Sequence, residues 1–142
     1  MNREPPDGFA IHTRTAPLTA PWEPIYARHE PDRVRLGLWT RREHTNSRGL
    51  VHGGLIAALA DAAMGLSLGT VVLARRGTVE GLVTTSLNLD YLERVALDCW
   101  LEVDTHFVHF GRSQGVAEAR ILAGGEVVAR ANARFALVGK MP

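Results

Sequence analysis

The residues best suited to chemistry lie in one stretch, from Asn46 to Thr70. It opens with a polar turn over residues 46–54, with the pattern Asn-x2-Gly-x2-His-Gly-Gly. The segment that follows is the most apolar in the chain, and Asp61 and Ser67 are its only strongly polar side chains before residue 69. A helix that is apolar on all sides is typical of a buried helix. Because burying an unpaired carboxylate is costly, Asp61 is expected to be paired, neutralised or used in a reaction.

The start of this helix is suited to polarising a carbonyl group. Backbone amides at a helix N-terminus are unpaired donors at the positive end of the helix dipole. Gly53 and Gly54 would let a substrate approach the backbone closely, and Gly53 is predicted to be the main donor. In the alternative interpretation, the two glycines only permit a tight turn.

Asp61 and Gly53 are too far apart to act on one carbonyl group within a chain. Eight residues of helix, at a rise of 1.5 Å each, separate them by roughly 12 Å. The amide and the carboxylate that act together are therefore predicted to come from different subunits, with the site at a dimer interface.

Length and composition limit the other functions that the chain could have. The 142 residues suit one domain, and 46% hydrophobic residues suffice for a core. A net charge of +1 argues against a general nucleic-acid binder or membrane-surface binder. The single cysteine, Cys99, excludes an internal disulfide framework and suits a reducing compartment. The polar start of the sequence lacks the apolar core of a signal peptide, so a cytoplasmic location is expected.

The order of elements predicts an α+β fold. Prolines break residues 1–22 into an extended N-terminal arm, and residues 23–142 are predicted to form one domain. Strands are predicted over 25–30 and 34–41, a helix from Gly53 or Gly54 to residues 73–76, and strands over 82–91, 98–107, 113–122 and 127–138. The helix is shorter than about 20 residues before Arg75 and Arg76, which predicts a poor membrane span.

A helix this apolar must be wrapped by a curved antiparallel sheet. One chain of this length would still leave a sheet edge and part of the helix face uncovered. Pairing with a second copy would cover both, so at least a homodimer is predicted, with a tetramer left open.

Several motifs together resemble one family, the hotdog-fold acyl-CoA thioesterases, and within it the phenylacetyl-CoA-type branch. The resemblance covers the chain from about residue 25 and rests on the turn at 46–54, Leu-Ala-Asp at 59–61, Thr-Thr-Ser-Leu-Asn-Leu-Asp-Tyr at 84–91, Phe-Gly-Arg-Ser at 110–113 and Gly-Glu-Val-Val-Ala-Arg-Ala at 125–131. The chain departs from the family by lacking a proline soon after Tyr91. The resemblance implies hydrolysis of an aryl- or medium-chain acyl-CoA to the free acid and coenzyme A.

The family pattern also implies roles for residues near the helix. Asp61 would act as a general base on water or as a nucleophile, and the sequence does not separate the two. Asn46 would hydrogen-bond the thioester, or else hold the turn. His52 would position the loop or the thioester.

Hydroxyl and basic side chains complete the predicted site. Thr84 matches a hydroxyl that orients the attacking water, and Thr85 is a neighbouring candidate. Because side chains alternate along a strand, only one of the two can point at the site. Arg112, and more weakly Arg48, are predicted to bind the phosphates of coenzyme A.

Other functions have less support in the sequence. A hotdog hydratase or dehydratase would centre on a histidine with a carboxylate, and Asp61 stands alone in its helix. A non-catalytic acyl-CoA-binding protein would not need Asp61. Neither a ligand spacing for a metal nor a glycine-rich nucleotide motif is present, so no metal and no cofactor are predicted.

Overall fold

One long helix lies against a single antiparallel sheet in the computed structural model, which describes residues 3–139. The strands are β1 (Ala10–Ile11), β2 (Tyr26–Glu30), β3 (Arg33–Trp39), β4 (Gly81–Tyr91), β5 (Trp100–Phe110), β6 (Gln114–Ala123) and β7 (Glu126–Val138). The helix α1 spans Gly53–Arg76, and short 3₁₀ turns cover Ala20–Trp22 and Arg42–His44. Within the described residues, the spatial strand order is β1-β2-β3-β5-β6-β7-β4. The predicted α+β architecture is therefore confirmed.

Both ends of α1 follow local signals in the sequence. The helix begins directly after His52, and it ends at Gly77, whose φ of 75° lies in the left-handed region that glycine adopts readily. Arg75 and Arg76 occupy the last turn, where positive charge suits the negative end of the helix dipole. The predicted boundaries are confirmed at both ends.

Only one face of α1 is buried, contrary to the expectation of a helix buried all round. The residues that pack against the sheet are Leu55, Ile56, Leu59, Ala60, Ala63, Met64, Ser67, Leu68 and Val72. Among them, Ser67 accepts a hydrogen bond from the amide of Val34 and donates one to its carbonyl, which joins α1 to β3. Asp61 lies on the other face and is only half-buried in a single chain.

The helix α1 is longer than the limit of about 20 residues set from the sequence, so its length does not make it a poor membrane span. With 24 residues and high hydropathy, α1 is long and apolar enough to cross a bilayer. Half of its most apolar window is buried inside the fold, as expected of the core helix of such a domain.

Strand β4 forms one edge of the sheet. Its 11 residues pair on one side with β7, and the described chain supplies no strand for the other side. A register shift between Thr84 and Ser86 marks a β-bulge at Thr85. The bulge changes which side chains point toward α1, because an extra residue reverses the alternation along the strand.

A buried histidine, His44, lies just before the turn at 46–54 and holds the chain there. His44 is 2% exposed, its Nδ1 accepts the amide of Arg41, and its Nε2 donates to the carbonyl of Trp22. The neutral ring is required, because protonation of Nδ1 would turn this acceptor into a donor. Burial is the main cause that lowers the pKa of His44; Arg41 also lowers it, while Trp22 and Glu43 oppose the shift.

Acid is therefore expected to destabilise the protein through His44. A group whose pKa is lower in the folded state binds more protons when unfolded, so its stabilising contribution is present above the ordinary pKa of about 6.5 and is lost as the pH falls below it. The loss should approach about 1.4 kcal/mol per pH unit until the folded-state pKa is reached. Chemical denaturation between pH 7.5 and 5 measures this.

The matched variant is His44→Gln, whose amide can also accept from Arg41 and donate to Trp22 but does not titrate. Its free energy of unfolding should depend less steeply on pH than that of the wild type in this window. Equal slopes would show that His44 is not responsible.

Candidate active site

The carboxylate of Asp61 is held by a hydroxyl group on the neighbouring strand. Thr84 Oγ1 donates a hydrogen bond of 2.7 Å to Asp61 Oδ1. This bond fixes the carboxylate and leaves Asp61 Oδ2 without a hydrogen-bond donor among residues 3–139. A carboxylate with one oriented and one free oxygen can accept a proton from a water molecule or attack a carbonyl carbon.

Asp61 and Thr84 line a cavity along α1. Its volume is about 520 Å³, and its wall along the helix runs from Leu59 to Leu73. We call this space the Asp61 cavity. Most of the other lining side chains are apolar, as is usual in sites that bind small molecules.

At the start of α1, a single amide is left free. The Gly54 amide donates to His52 Nδ1 at 2.7 Å, and the amides of Leu55 and Ile56 donate to the carbonyl of His52. In the described part of the chain the Gly53 amide has no acceptor. Gly53 is therefore the available donor at the positive end of the helix dipole. Gly54, predicted to bind substrate or coenzyme A, has its amide occupied by His52.

His52 caps the helix and does not stand beside Asp61. Its Nδ1 accepts from Gly54, so the proton of the neutral ring lies on Nε2. A side chain at Gly54 would meet the ring of His52 at 2.9 Å, which explains the second glycine of the motif. The role of His52 in this structure is to hold the turn, one of the roles that the resemblance implied.

The side chain of Asn46 is also used by the turn. Its Oδ1 accepts from the amides of Arg48 and Leu50, at 2.9 and 3.3 Å. Gly49, with a φ of 75°, closes the turn by donating to the carbonyl of Asn46. Asn46 thus takes the alternative, turn-holding role, and its Nδ2 is the group that remains for a ligand.

Asn46 and Gly53 line a second cavity of about 430 Å³. Asp61 is not part of its lining, and Gly53 is not part of the Asp61 cavity. We call the second space the Gly53 cavity. Within one chain, the structure therefore keeps the free amide and the carboxylate in separate spaces.

Tyr91 contacts the Gly53 turn and was missed as a site residue in the sequence. Its hydroxyl donates to the carbonyl of Gly53 at 2.6 Å, and a side chain at Gly53 would meet its ring at 3.2 Å. Burial raises the pKa of Tyr91, so the phenol stays protonated and able to donate. Tyr91 fixes the orientation of the glycine that presents the free amide.

The bulge in β4 explains why this contact was missed. Without it, Thr84 and Tyr91, seven residues apart, would point to opposite faces of the sheet. With it, both lie on the face that carries α1. Thr85 is the bulged residue, and its hydroxyl donates to the carbonyl of Arg134, away from Asp61. Thr84, and not Thr85, is the hydroxyl at the site.

The two predicted phosphate-binding arginines lie at opposite ends of α1. Arg48 is exposed in the turn beside Gly53. Arg112 is exposed in the loop after β5, where its carbonyl lies 3.5 Å from the guanidinium of Arg76 at the other helix end. The side chain of neither arginine lines the Asp61 cavity or the Gly53 cavity. Over the described residues, no cluster of three potential metal ligands occurs.

Comparison with known families gives one match across most of the chain. The model of the thioesterase superfamily matches residues 48–130, which include the 53–61 region and all of β4 and β5. A protein of Pseudomonas aeruginosa, whose name proposes an esterase, is 32% identical over 133 residues. This alignment covers 93% of the present chain and 96% of that protein.

Solved structures share the fold. A hypothetical thioesterase from Streptococcus pneumoniae, solved with coenzyme A, has a TM-score of 0.73 at 24% identity, covering 85% of this chain and 94% of that one. A Streptococcus mutans protein bound to acetyl-CoA has a TM-score of 0.71 at 25% identity, with the same coverage. The phenylacetic acid degradation protein PaaI from Thermus thermophilus has a TM-score of 0.70 at 23% identity, covering 80% and 93%. These likenesses confirm the predicted hotdog fold.

Proposed function

Because the chain belongs to the thioesterase superfamily, we propose that it hydrolyses an aryl- or medium-chain acyl-CoA thioester to the free acid and coenzyme A. The observation that carries this proposal is the Asp61 carboxylate, held by Thr84 at the edge of a largely apolar cavity of about 520 Å³. An apolar acyl group suits the cavity, and the carboxylate supplies the chemistry that hydrolysis needs.

In the proposed reaction, the thioester carbonyl oxygen accepts a hydrogen bond from the Gly53 amide. Negative charge develops on this oxygen during attack, and a fixed amide donor at a helix N-terminus stabilises it. Asp61 either removes a proton from the attacking water or attacks the carbonyl carbon itself. The C–S bond then breaks, and the thiolate of coenzyme A leaves and takes up a proton. In the second case the acyl group stays on Asp61 as an anhydride, which a water molecule then hydrolyses to release the acid and restore the carboxylate. In the first case Thr84 holds Asp61 in position for the water.

We propose that each complete site needs two copies of the chain. The free amide and the carboxylate line different cavities and are separated by eight helical residues, roughly 12 Å. The unpaired edge of β4 and the half-covered face of α1 are the surfaces that a second copy would cover. A two-fold axis would bring Gly53 of one copy toward Asp61 of the other, twice per dimer.

The coenzyme A part of the substrate is proposed to lie outside the acyl cavity. Two proteins of the same fold were solved with coenzyme A or acetyl-CoA, which supports a coenzyme A thioester as the substrate class. Arg48, beside the Gly53 turn, is close enough along the chain to meet its phosphates. Since Arg112 lies near the far end of α1, it would reach the same ligand only from another copy.

Within the superfamily, we propose that the chain belongs to the phenylacetyl-CoA-type branch. The support is the resemblance of the turn at 46–54 followed by Leu-Ala-Asp, together with the shared fold of PaaI. A phenylacetyl group is apolar, as the Asp61 cavity requires.

A panel of acyl-CoA thioesters tests the function. Release of free thiol should be detected with phenylacetyl-CoA, benzoyl-CoA and decanoyl-CoA, and the acid product should form in equal amount. A protein that hydrolyses no member of the panel but hydrates an enoyl-CoA would be a hydratase. Binding of the panel without any turnover would indicate a non-catalytic acyl-CoA-binding protein.

A further inference from the structure

The N-terminal arm forms one side of the Asp61 cavity. Five of its residues line the space, namely His12, Arg14, Thr15, Ala16 and Thr19. We call residues 12–19 the arm wall. The opposite side is the half-covered face of α1 that carries Asp61. The cavity thus lies between the central helix and a segment that precedes the first long strand.

The arm is fastened on both sides of this wall. Before it, the indole of Trp39 donates to the carbonyl of Glu4 at 3.0 Å. At its first residue, the amide of His12 donates to the carbonyl of Ile25 at 2.8 Å. After it, His44 donates to the carbonyl of Trp22 at 3.0 Å. Between these points the described backbone bonds are local. The amides of residues 19 and 20 donate to the carbonyl of residue 16, and the amide of residue 22 donates to the carbonyl of residue 19. The wall therefore bridges the cavity between two anchors.

Most of the side chains that line the cavity opposite the arm wall are apolar. The large apolar side chains among them include Ile25, Leu36, Leu59, Leu66, Leu82 and Phe135. A volume of about 520 Å³ falls within the usual range of roughly 300–1,000 Å³ for small-molecule sites. An acetyl group would leave most of this space unfilled.

We propose that the arm wall determines the acyl-group specificity of this enzyme, by closing the Asp61 cavity into a compartment for bulky apolar acyl groups. The inference rests on the proposed thioesterase function and specifies its substrate class. Each methylene group buried between the arm and α1 should improve kcat/KM by up to about fourfold, until the compartment is full. Decanoyl-CoA is therefore hydrolysed more efficiently than acetyl-CoA.

Two threonines of the arm provide a matched test. Thr15 lines the cavity, whereas Thr13, two residues earlier in the same exposed segment, does not. Thr15→Trp places a large side chain in the wall and should lower the ratio of kcat/KM for decanoyl-CoA to that for acetyl-CoA by about tenfold or more. Thr13→Trp should leave this ratio within about twofold of the wild type. Ala16→Leu, a smaller enlargement at the next lining position, should shift the ratio in the same direction as Thr15→Trp.

The outcomes separate the two proposals. If wild type and variants hydrolyse both substrates with the same ratio, the arm wall does not determine specificity, although the thioesterase function stands. If the wild type hydrolyses neither these two substrates nor phenylacetyl-CoA or benzoyl-CoA, the thioesterase function fails, and calorimetric binding of decanoyl-CoA decides the inference. If Thr15→Trp binds decanoyl-CoA more weakly than Thr13→Trp does, the acyl chain still lies against the arm. Equal affinities of the two variants would overturn the inference.

Discussion

Asp61→Asn should lower kcat by about 10²- to 10⁴-fold while leaving acyl-CoA binding nearly intact. Asparagine has the shape of aspartate, and its Oδ1 can still accept the hydrogen bond from Thr84 that is 2.7 Å long in the wild type. It can neither take a proton from water nor form an anhydride with the acyl group. Thiol release from decanoyl-CoA and phenylacetyl-CoA measures the rate, and calorimetry with the same compounds measures the affinity.

A second carboxylate in the same cavity provides the control. Glu80 also lines the Asp61 cavity, but the described chain gives it no hydroxyl partner like Thr84. Glu80→Gln removes the same charge from the same space, so a purely electrostatic effect would appear in both variants. Activity should stay within about twofold in Glu80→Gln. If Asp61→Asn retained wild-type kcat, Asp61 would have no part in the chemistry.

Gly53→Pro should reduce kcat/KM by about 10²- to 10³-fold, which is typical for the loss of one donor to the developing oxyanion. Proline removes the amide hydrogen without breaking the helix, because the first helical position needs no intrahelical bond and favours the φ of proline. The preceding residue, His52, already has φ −68° and ψ 131°, an extended conformation that a following proline requires. The loss should appear with every acyl-CoA that the wild type hydrolyses.

Gly53→Ala is the matched control for this variant. It adds the same Cβ, which must displace the ring of Tyr91 from a contact of 3.2 Å, but it keeps the amide hydrogen. The crowding of Tyr91 by Cβ is therefore shared, and the proline variant differs from the alanine variant by the lost amide hydrogen and the rest of the proline ring. Thermal unfolding should give similar midpoints for both. Equal activities of the proline and alanine variants would rule out the Gly53 amide as a donor to the substrate.

Local signals in the sequence were sufficient to predict the helix and most of the strands. The apolar run after Gly53 and the glycine at position 77 define α1 at both ends, because helix caps depend on adjacent residues. The strands after the helix were identified by their alternation, although β5 extends three residues further than predicted. The two-residue strand β1 was not predicted, since its pairing with β2 depends on a distant segment.

The side-chain contacts across the candidate site were harder to predict from the sequence. The bulge at Thr85 shifts the alternation of β4, which places Thr84 at Asp61 and Tyr91 at Gly53 on the same face. A register shift of this kind depends on pairing with β7 and has no clear local signature. The arm wall was missed for a similar reason, because no periodicity indicates where an extended segment will lie.

The central claim is that Gly53 and Asp61 act together across two copies of the chain. The most direct test is co-expression of Gly53→Pro and Asp61→Asn chains with different affinity tags, followed by purification of the mixed dimer through both tags. Across a two-fold interface, one of its two sites carries both substitutions and the other carries neither, so the mixed dimer should show about half of the wild-type rate. If the amide and the carboxylate acted within one chain, every site would be defective, and a mixed dimer no more active than its two parents would contradict the account.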